Sequence, residues 1–191
     1  MNAFANAMRC AVSGVSIVTT SGDFGRYGLT VSSMTSVSAE PPTLLVRVNR
    51  SSVARDAIAG NRHFAINVLS ARQQNVAASF AGSDRHSPAY DFSRDEWTVS
   101  PSELPQLANP AAVFECKLES AVAAGTHSIF IGRVTNAWGA DEMPLAYSNR
   151  EYRVPVGLAA ANVSGGGTKT VLEAHWGRFH SRYMQYSGRK S

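Results

Sequence analysis

Residues 25–38 read Gly25-Arg26-Tyr27-Gly28-Leu29-Thr30-Val31-Ser32-Ser33-Met34-Thr35-Ser36-Val37-Ser38. In an extended chain, Leu29, Val31 and Ser33 fall on one side and Thr30, Ser32 and Met34 on the other. This period of two predicts a strand over 27–34 with a largely apolar face backed by hydroxyls. The hydroxyls are too dense for an ordinary core strand. Either they line a polar ligand, or the strand is an exposed edge that collects serine and threonine for their β propensity.

The flanking segments carry the same period. Residues 15–20 and 43–49 are short runs of β-branched and apolar side chains, and in the second Leu44, Val46 and Val48 share a face. Pro41 and Pro42 lack the N–H that a ladder needs, so they start or flank a strand. Residues 63–69 alternate again, with Phe64, Ile66 and Val68 on one side. Two more strands, 111–120 and 128–138, are joined through 123–126, where Gly125 supplies the turn, and a last short one lies near Leu145 and Tyr147.

Helical spacing is scarcer. Phe4, Met8 and Val12 recur every fourth residue, which predicts a short opening helix carrying Cys10 and lying against a sheet. Brief helices are expected over 52–58 and 72–80. Between 81 and 109 serines and prolines dominate, predicting a long surface loop. Many short strands with few helices between them argue against a doubly wound parallel sheet. A mainly β fold follows, a small barrel with a few peripheral helices.

A chain of 191 residues with 17% charged and 44% hydrophobic residues can bury its own core without disulfides or metal. Cys10 and Cys116 are too few for a disulfide framework and are expected to be reduced. His175 and His180 have no carboxylate or cysteine beside them, so no metal site is expected. With no secretory leader and no apolar run of membrane-spanning length, a cytoplasmic protein is expected, without membrane partners. The formal charge of +4 resides in the tail, where Lys169, Arg178, Arg182, Arg189 and Lys190 face only Glu173. The body is therefore neutral overall, which argues against nucleic acid as a partner. Two regions are expected: residues 1–154 as the folded domain and 155–191 as a basic, partly flexible extension.

Asn49-Arg50-Ser51-Ser52 stands where a strand ends and a helix begins. Free amides, the helix dipole and two hydroxyls attract phosphate there, and Arg50 adds a fixed charge. Viewed alone, the segment serves equally well as an ordinary N-cap.

Gly28-Leu29-Thr30-Val31-Ser32-Ser33 through Ser36-Val37-Ser38-Ala39-Glu40-Pro41-Pro42 resembles the flavin-binding signature of the short-chain flavin reductases. The likeness continues through Asn49 to Ser52, His63 to Leu69 and Gly125-Thr126-His127-Ser128-Ile129-Phe130-Ile131-Gly132, covering about residues 4–153. That family supplies the reductase components of two-component monooxygenases. The resemblance implies a homodimeric, Greek-key split β-barrel with FAD or FMN near the subunit interface and NADH or NADPH as hydride donor. It favours the FAD and NADH pair.

By position, Thr30, Val31, Ser32, Ser33 and Ser36 would line the flavin ring and ribityl chain. Val48, Asn49, Arg50, Ser51 and Ser52 would hold the phosphate side, with Phe80 and Ala81 bordering the outer cofactor surface. His127 matches the histidine near the nicotinamide, and Tyr152 the aromatic close of the domain. The implied enzyme is an NAD(P)H-dependent flavin reductase that hands reduced flavin to an oxygenase acting on an aromatic compound. Two other readings fit the same pocket: a ferric reductase, and a flavin carrier or electron-transfer protein without a monooxygenase partner. The tail beyond the family pattern would steer toward an acidic partner surface.

Overall fold

A computed structural model describes residues 2–81, 91–93 and 97–156. The chain divides into a unit spanning residues 1–155 and a second spanning 156–191. The expected basic tail, with His175 and His180, lies outside the described residues.

The first unit contains helix α1 (Ala3–Met8) and strands β1 (Ser13–Gly14), β2 (Ser16–Thr20), β3 (Tyr27–Val31), β4 (Thr35–Ala39) and β5 (Pro42–Asn49). Helix α2 (Val53–Asn61), strand β6 (His63–Val68), a single 3-10 turn (Ala71–Gln73) and helix α3 (Gln74–Phe80) follow. The later strands are β7 (Trp97–Val99), β8 (Pro105–Leu107), β9 (Ala112–Ala124), β10 (His127–Gly139), β11 (Ala146–Ser148) and β12 (Glu151–Arg153).

Seven strands form one antiparallel sheet in the order β3-β2-β6-β9-β10-β5-β4. The sheet curls until the residues after β3 meet β5, where the Ser33 hydroxyl donates to the Arg47 carbonyl at 3.1 Å and accepts from the Arg47 N–H at 3.0 Å. Those side-chain bonds stand in for a continuous ladder, and the result is a split barrel of the expected class. Inside it pack Val18, Val31, Val46, Val48, Phe64, Ile66 and Phe130, all buried. Period-two alternation is plain in β5, where Leu44, Val46 and Val48 turn inward while Leu45 is half-buried and Arg47 and Asn49 are exposed.

The opposite face of the sheet carries a second cluster, including Ile17, Leu69, Val76, Phe80, Leu107 and Leu145. Asn67 lies fully buried there, its amide donating to the Ile17 carbonyl at 3.2 Å while its oxygen accepts from the Leu107 N–H at 2.9 Å. This pairing fastens β8 onto the sheet and satisfies polar groups that burial would otherwise penalise. A small third sheet, β1-β11-β12, ties the start of the unit to its end.

Four expectations are corrected. The strand expected over 27–34 stops at Val31, and β4 forms separately, because the chain bends at Ser32-Ser33 to reach β5. Within the expected surface loop over 81–109, β7 and β8 pair, and Leu104 through Leu107 are buried beneath the second cluster's rim. Helix α1 ends at Met8, before Cys10, and buries nothing: Phe4, Met8 and Val12 are exposed, at 70%, 50% and 70%. Strands β9 and β10 run past their expected ends and meet in a two-residue turn, Gly125-Thr126, with Gly125 at φ +56°. A glycine adopts that left-handed conformation without steric cost.

Candidate active site

The tip of the β9–β10 hairpin brings distant sequence together. In the β10–β5 ladder His127 is directly opposite Asn49, and Ser128 opposite Val48. The Arg50 N–H donates to the Thr126 carbonyl at 2.9 Å, and its guanidinium reaches the Gly125 carbonyl at 3.4 Å. The 49–52 turn is thereby fastened to the hairpin that carries His127.

Within the turn, Asn49 Oδ1 accepts from both the N–H and the hydroxyl of Ser51, at 3.0 and 2.9 Å. Ser52 is the N-cap of α2, yet its side chain makes no capping bond. Its hydroxyl is left available, beside the Val53 and Ala54 amides that have no acceptor within the helix. Arg50, that hydroxyl and those amides form a donor set suited to a phosphate at the positive end of a nine-residue helix. Val48, by contrast, is buried at 1% exposure in the barrel core and supports the turn from beneath.

His127 Nδ1 lies 2.9 Å from the Thr126 hydroxyl, which sets the ring's orientation. Arg55, one turn into α2, bonds the buried Ser128 hydroxyl through Nε at 3.3 Å and pairs with Asp56. Arg55 carries no mark in the sequence, and Ser128 is visible there only as part of the 125–132 block, with no role of its own.

The other site residues spread from this corner. Ser32 is exposed at the bend leading from β3 to β4, and Ser36 is exposed within β4. Ser33 spends its hydroxyl on Arg47, and Thr30 donates to the Ala77 carbonyl at 2.8 Å, so these two groups hold strands and α3 in place. Val31 is a core residue. Phe80 packs against Phe92 and Trp97 with ring centroids 5.3 Å away in each case, and Arg26 sits 4.3 Å over the Phe92 ring. Gly28 lets this aromatic cluster touch β3, since a Cβ there would come within 2.8 Å of Phe80. Ala81 is exposed at the end of α3. Tyr152 stacks edge-on against Tyr147 at 5.5 Å in the third sheet, and burial followed by Tyr147 raises its phenol pKa. No hydrogen bond or ring contact ties Tyr152 to His127.

The profile of the flavin reductase like domain matches residues 8–155. The chain belongs to the flavin reductase-like family. Among relatives of this flavin reductase is RutF, an FMN reductase (NADH) of Bradyrhizobium diazoefficiens, 34% identical over 174 residues, spanning 90% of this chain and 93% of RutF. The NADH:FAD oxidoreductase SgcE6 of Streptomyces globisporus C-1027, in complex with NAD and FAD fragments, matches with a TM-score of 0.74 at 29% identity, over 83% of this chain and 93% of its own. The styrene monooxygenase flavin reductase SMOB of Pseudomonas putida S12 matches with a TM-score of 0.72 at 27% identity, over 82% and 100%.

In this flavin reductase, Asn49→Ala removes the acceptor that shapes the 49–52 turn. Flavin affinity is expected to fall about tenfold, the upper end of what one neutral hydrogen bond contributes. Fluorescence titration with FMN and FAD checks it; an unchanged Kd would detach the turn from phosphate binding.

Proposed function

We propose that this chain oxidises NADH or NADPH, reduces FAD or FMN, and releases the reduced flavin to a separate monooxygenase acting on an aromatic compound. The observation that carries this reading is the register that places His127 opposite Asn49. One corner then offers a phosphate-binding turn and, beside it, a ring nitrogen able to hold a second cofactor.

When bound, the two cofactors would supply the chemistry, a hydride transfer from nicotinamide to flavin. The protein's own task is positioning. Arg50, Ser52 and the amides at the head of α2 anchor the flavin phosphate, on a turn shaped by the bonds from Ser51 to Asn49. The Ser32 and Ser36 hydroxyls face its polar edge, while Thr30, Val31 and Ser33 keep that wall rigid. His127, held by Thr126, orients the nicotinamide. A homodimer would complete the flavin site from a second copy. The relative SMOB, named for styrene monooxygenase, supports an aromatic-oxidising partner.

Anaerobic stopped-flow absorbance of purified protein mixed with FAD or FMN and then NADH or NADPH tests the reading. Rapid bleaching is expected, fastest for one pair, followed by transfer of flavin to an added oxygenase. Bound flavin that stays oxidised with every donor would leave a carrier protein. Bleaching without exchange of the flavin would favour a reductase of ferric or other external acceptors.

A further inference from the structure

Arg47 is exposed on the outer face of β5, and its side chain forms neither a hydrogen bond nor an ion pair among the described residues. The ladder fixes where it stands. Arg47 is directly opposite Ile129 and two residues before Asn49, which is itself opposite His127. Arg47, Asn49 and His127 therefore share the face turned away from the buried Val46, Val48 and Phe130. The diagonal from Arg47 to His127 is about 7–8 Å, within reach of a long side chain. On the other flank the Ser33 hydroxyl bonds both the carbonyl and the N–H of Arg47, which fixes the backbone that carries the side chain. Arg47 thus stands between the serine bend and the imidazole.

The other arginines of this corner have partners. Arg50 reaches the Gly125 carbonyl, Arg55 bonds Ser128 and pairs with Asp56, and Arg133 pairs with Glu119. The positions around Arg47 carry no carboxylate: Leu45 and Asn49 flank it along β5, Ile129 faces it on β10, and Val122 lies beyond on β9. Leu45 and Ile129 are half-buried, so the aliphatic stem has apolar ground while the guanidinium stays in water. A guanidinium without a counter-charge attracts an anion, and its planar fork matches phosphate oxygens.

The flavin phosphate already has Arg50, Ser52 and the head of α2. A nicotinamide dinucleotide brings a doubly charged pyrophosphate, and His127 bears on its ring alone. Resting on the function proposed above, we propose that Arg47 binds the pyrophosphate of the nicotinamide dinucleotide and so sets the affinity for the hydride donor.

The test is calorimetric titration of the full chain saturated with FAD, using ADP-ribose, which carries the pyrophosphate without the reacting ring, and adenosine as the uncharged probe. Adenosine is expected to bind about tenfold more weakly than ADP-ribose or worse. Arg47→Gln is expected to weaken ADP-ribose about tenfold, the effect of one charge-assisted contact, and Arg47→Lys by less, while FAD affinity moves less than about twofold in both. Arg47 is exposed and its bonds to Ser33 run through the backbone, so both variants are expected to fold, which an unshifted thermal midpoint checks. The proposal fails if the parent binds ADP-ribose no better than adenosine, if Arg47→Gln binds ADP-ribose as tightly as the parent, or if FAD is weakened equally. It also fails if a 2′-phosphate on the probe makes the loss tenfold larger, since the contact would then be to that phosphate. Failure of the underlying reading shows separately, as parent flavin that neither NADH nor NADPH bleaches, and the proposal falls with it.

Discussion

Gly132→Ala is expected to destabilise the protein by about 3 kcal/mol, the upper part of the range for overpacking a filled core. A Cβ at residue 132 would lie 2.6 Å from Phe64 Cζ and 2.9 Å from Cys116 Cβ. Neither neighbour can retreat: Phe64 is 0% exposed and Cys116 1%. The glycine also sits at a register shift between β10 and β9, where the backbones draw close around the Phe64 ring. Gly60→Ala is the informative control, because a Cβ there would meet Phe24 at 2.3 Å, closer still. Phe24 is 60% exposed and swings aside, and alanine is the better helix residue, so that change is expected to be neutral or stabilising. Urea unfolding at an unchanged slope measures both. A midpoint for Gly132→Ala equal to that of the parent would mean that the barrel interior is less tightly filled around Phe64.

His127→Ala is expected to slow nicotinamide-driven flavin reduction about 100-fold while flavin affinity changes less than about twofold, the low end of what one positioned catalytic group contributes. The imidazole is oriented by Thr126 and stands across the ladder from Asn49, while the anion-binding donors belong to Arg50, Ser52 and the head of α2. Removing the ring therefore leaves the phosphate turn and its fastening to the 125–126 carbonyls intact. Single-turnover bleaching under anaerobic conditions gives the rate, and a flavin titration gives the affinity. Equal losses in both would assign His127 to the flavin pocket. Thr126→Ala is the companion: a smaller slowing, with the ring present but less constrained, is the pattern expected of a positioning group.

The sheet was readable because burial imposes period two on Leu44, Val46 and Val48 of β5, while in β6, buried on both faces, the bulky Phe64 and Ile66 alternate with Ala65 and Asn67. What escaped has local causes. Strands β7 and β8 are three residues each, too short to show a period, and Pro105 and the nearby serines advertise a loop. The break after Val31 depends on Ser33 bonding to Arg47, a contact with no footprint in the local pattern. For α1, the fourfold spacing of Phe4, Met8 and Val12 reveals an apolar face but not what it touches. At the site, the 49–52 turn and His127 were each visible as residue types. Their adjacency is a property of the β5–β10 register, and the supporting roles of Thr126, Arg55 and Ser128 follow only from that adjacency.

The small sheet that joins β1 to β11 and β12 makes the first unit nearly a closed ring of chain, its two ends separated by two inter-strand spacings, about 10 Å. Sequence order along such a ring is close to arbitrary. A circularly permuted chain, with a short linker joining residues 12 and 154 and new ends placed in the 21–26 turn, would keep every ladder described above. Opening the ring at the hairpin tip, 125–126, would instead loosen His127 from the turn it serves.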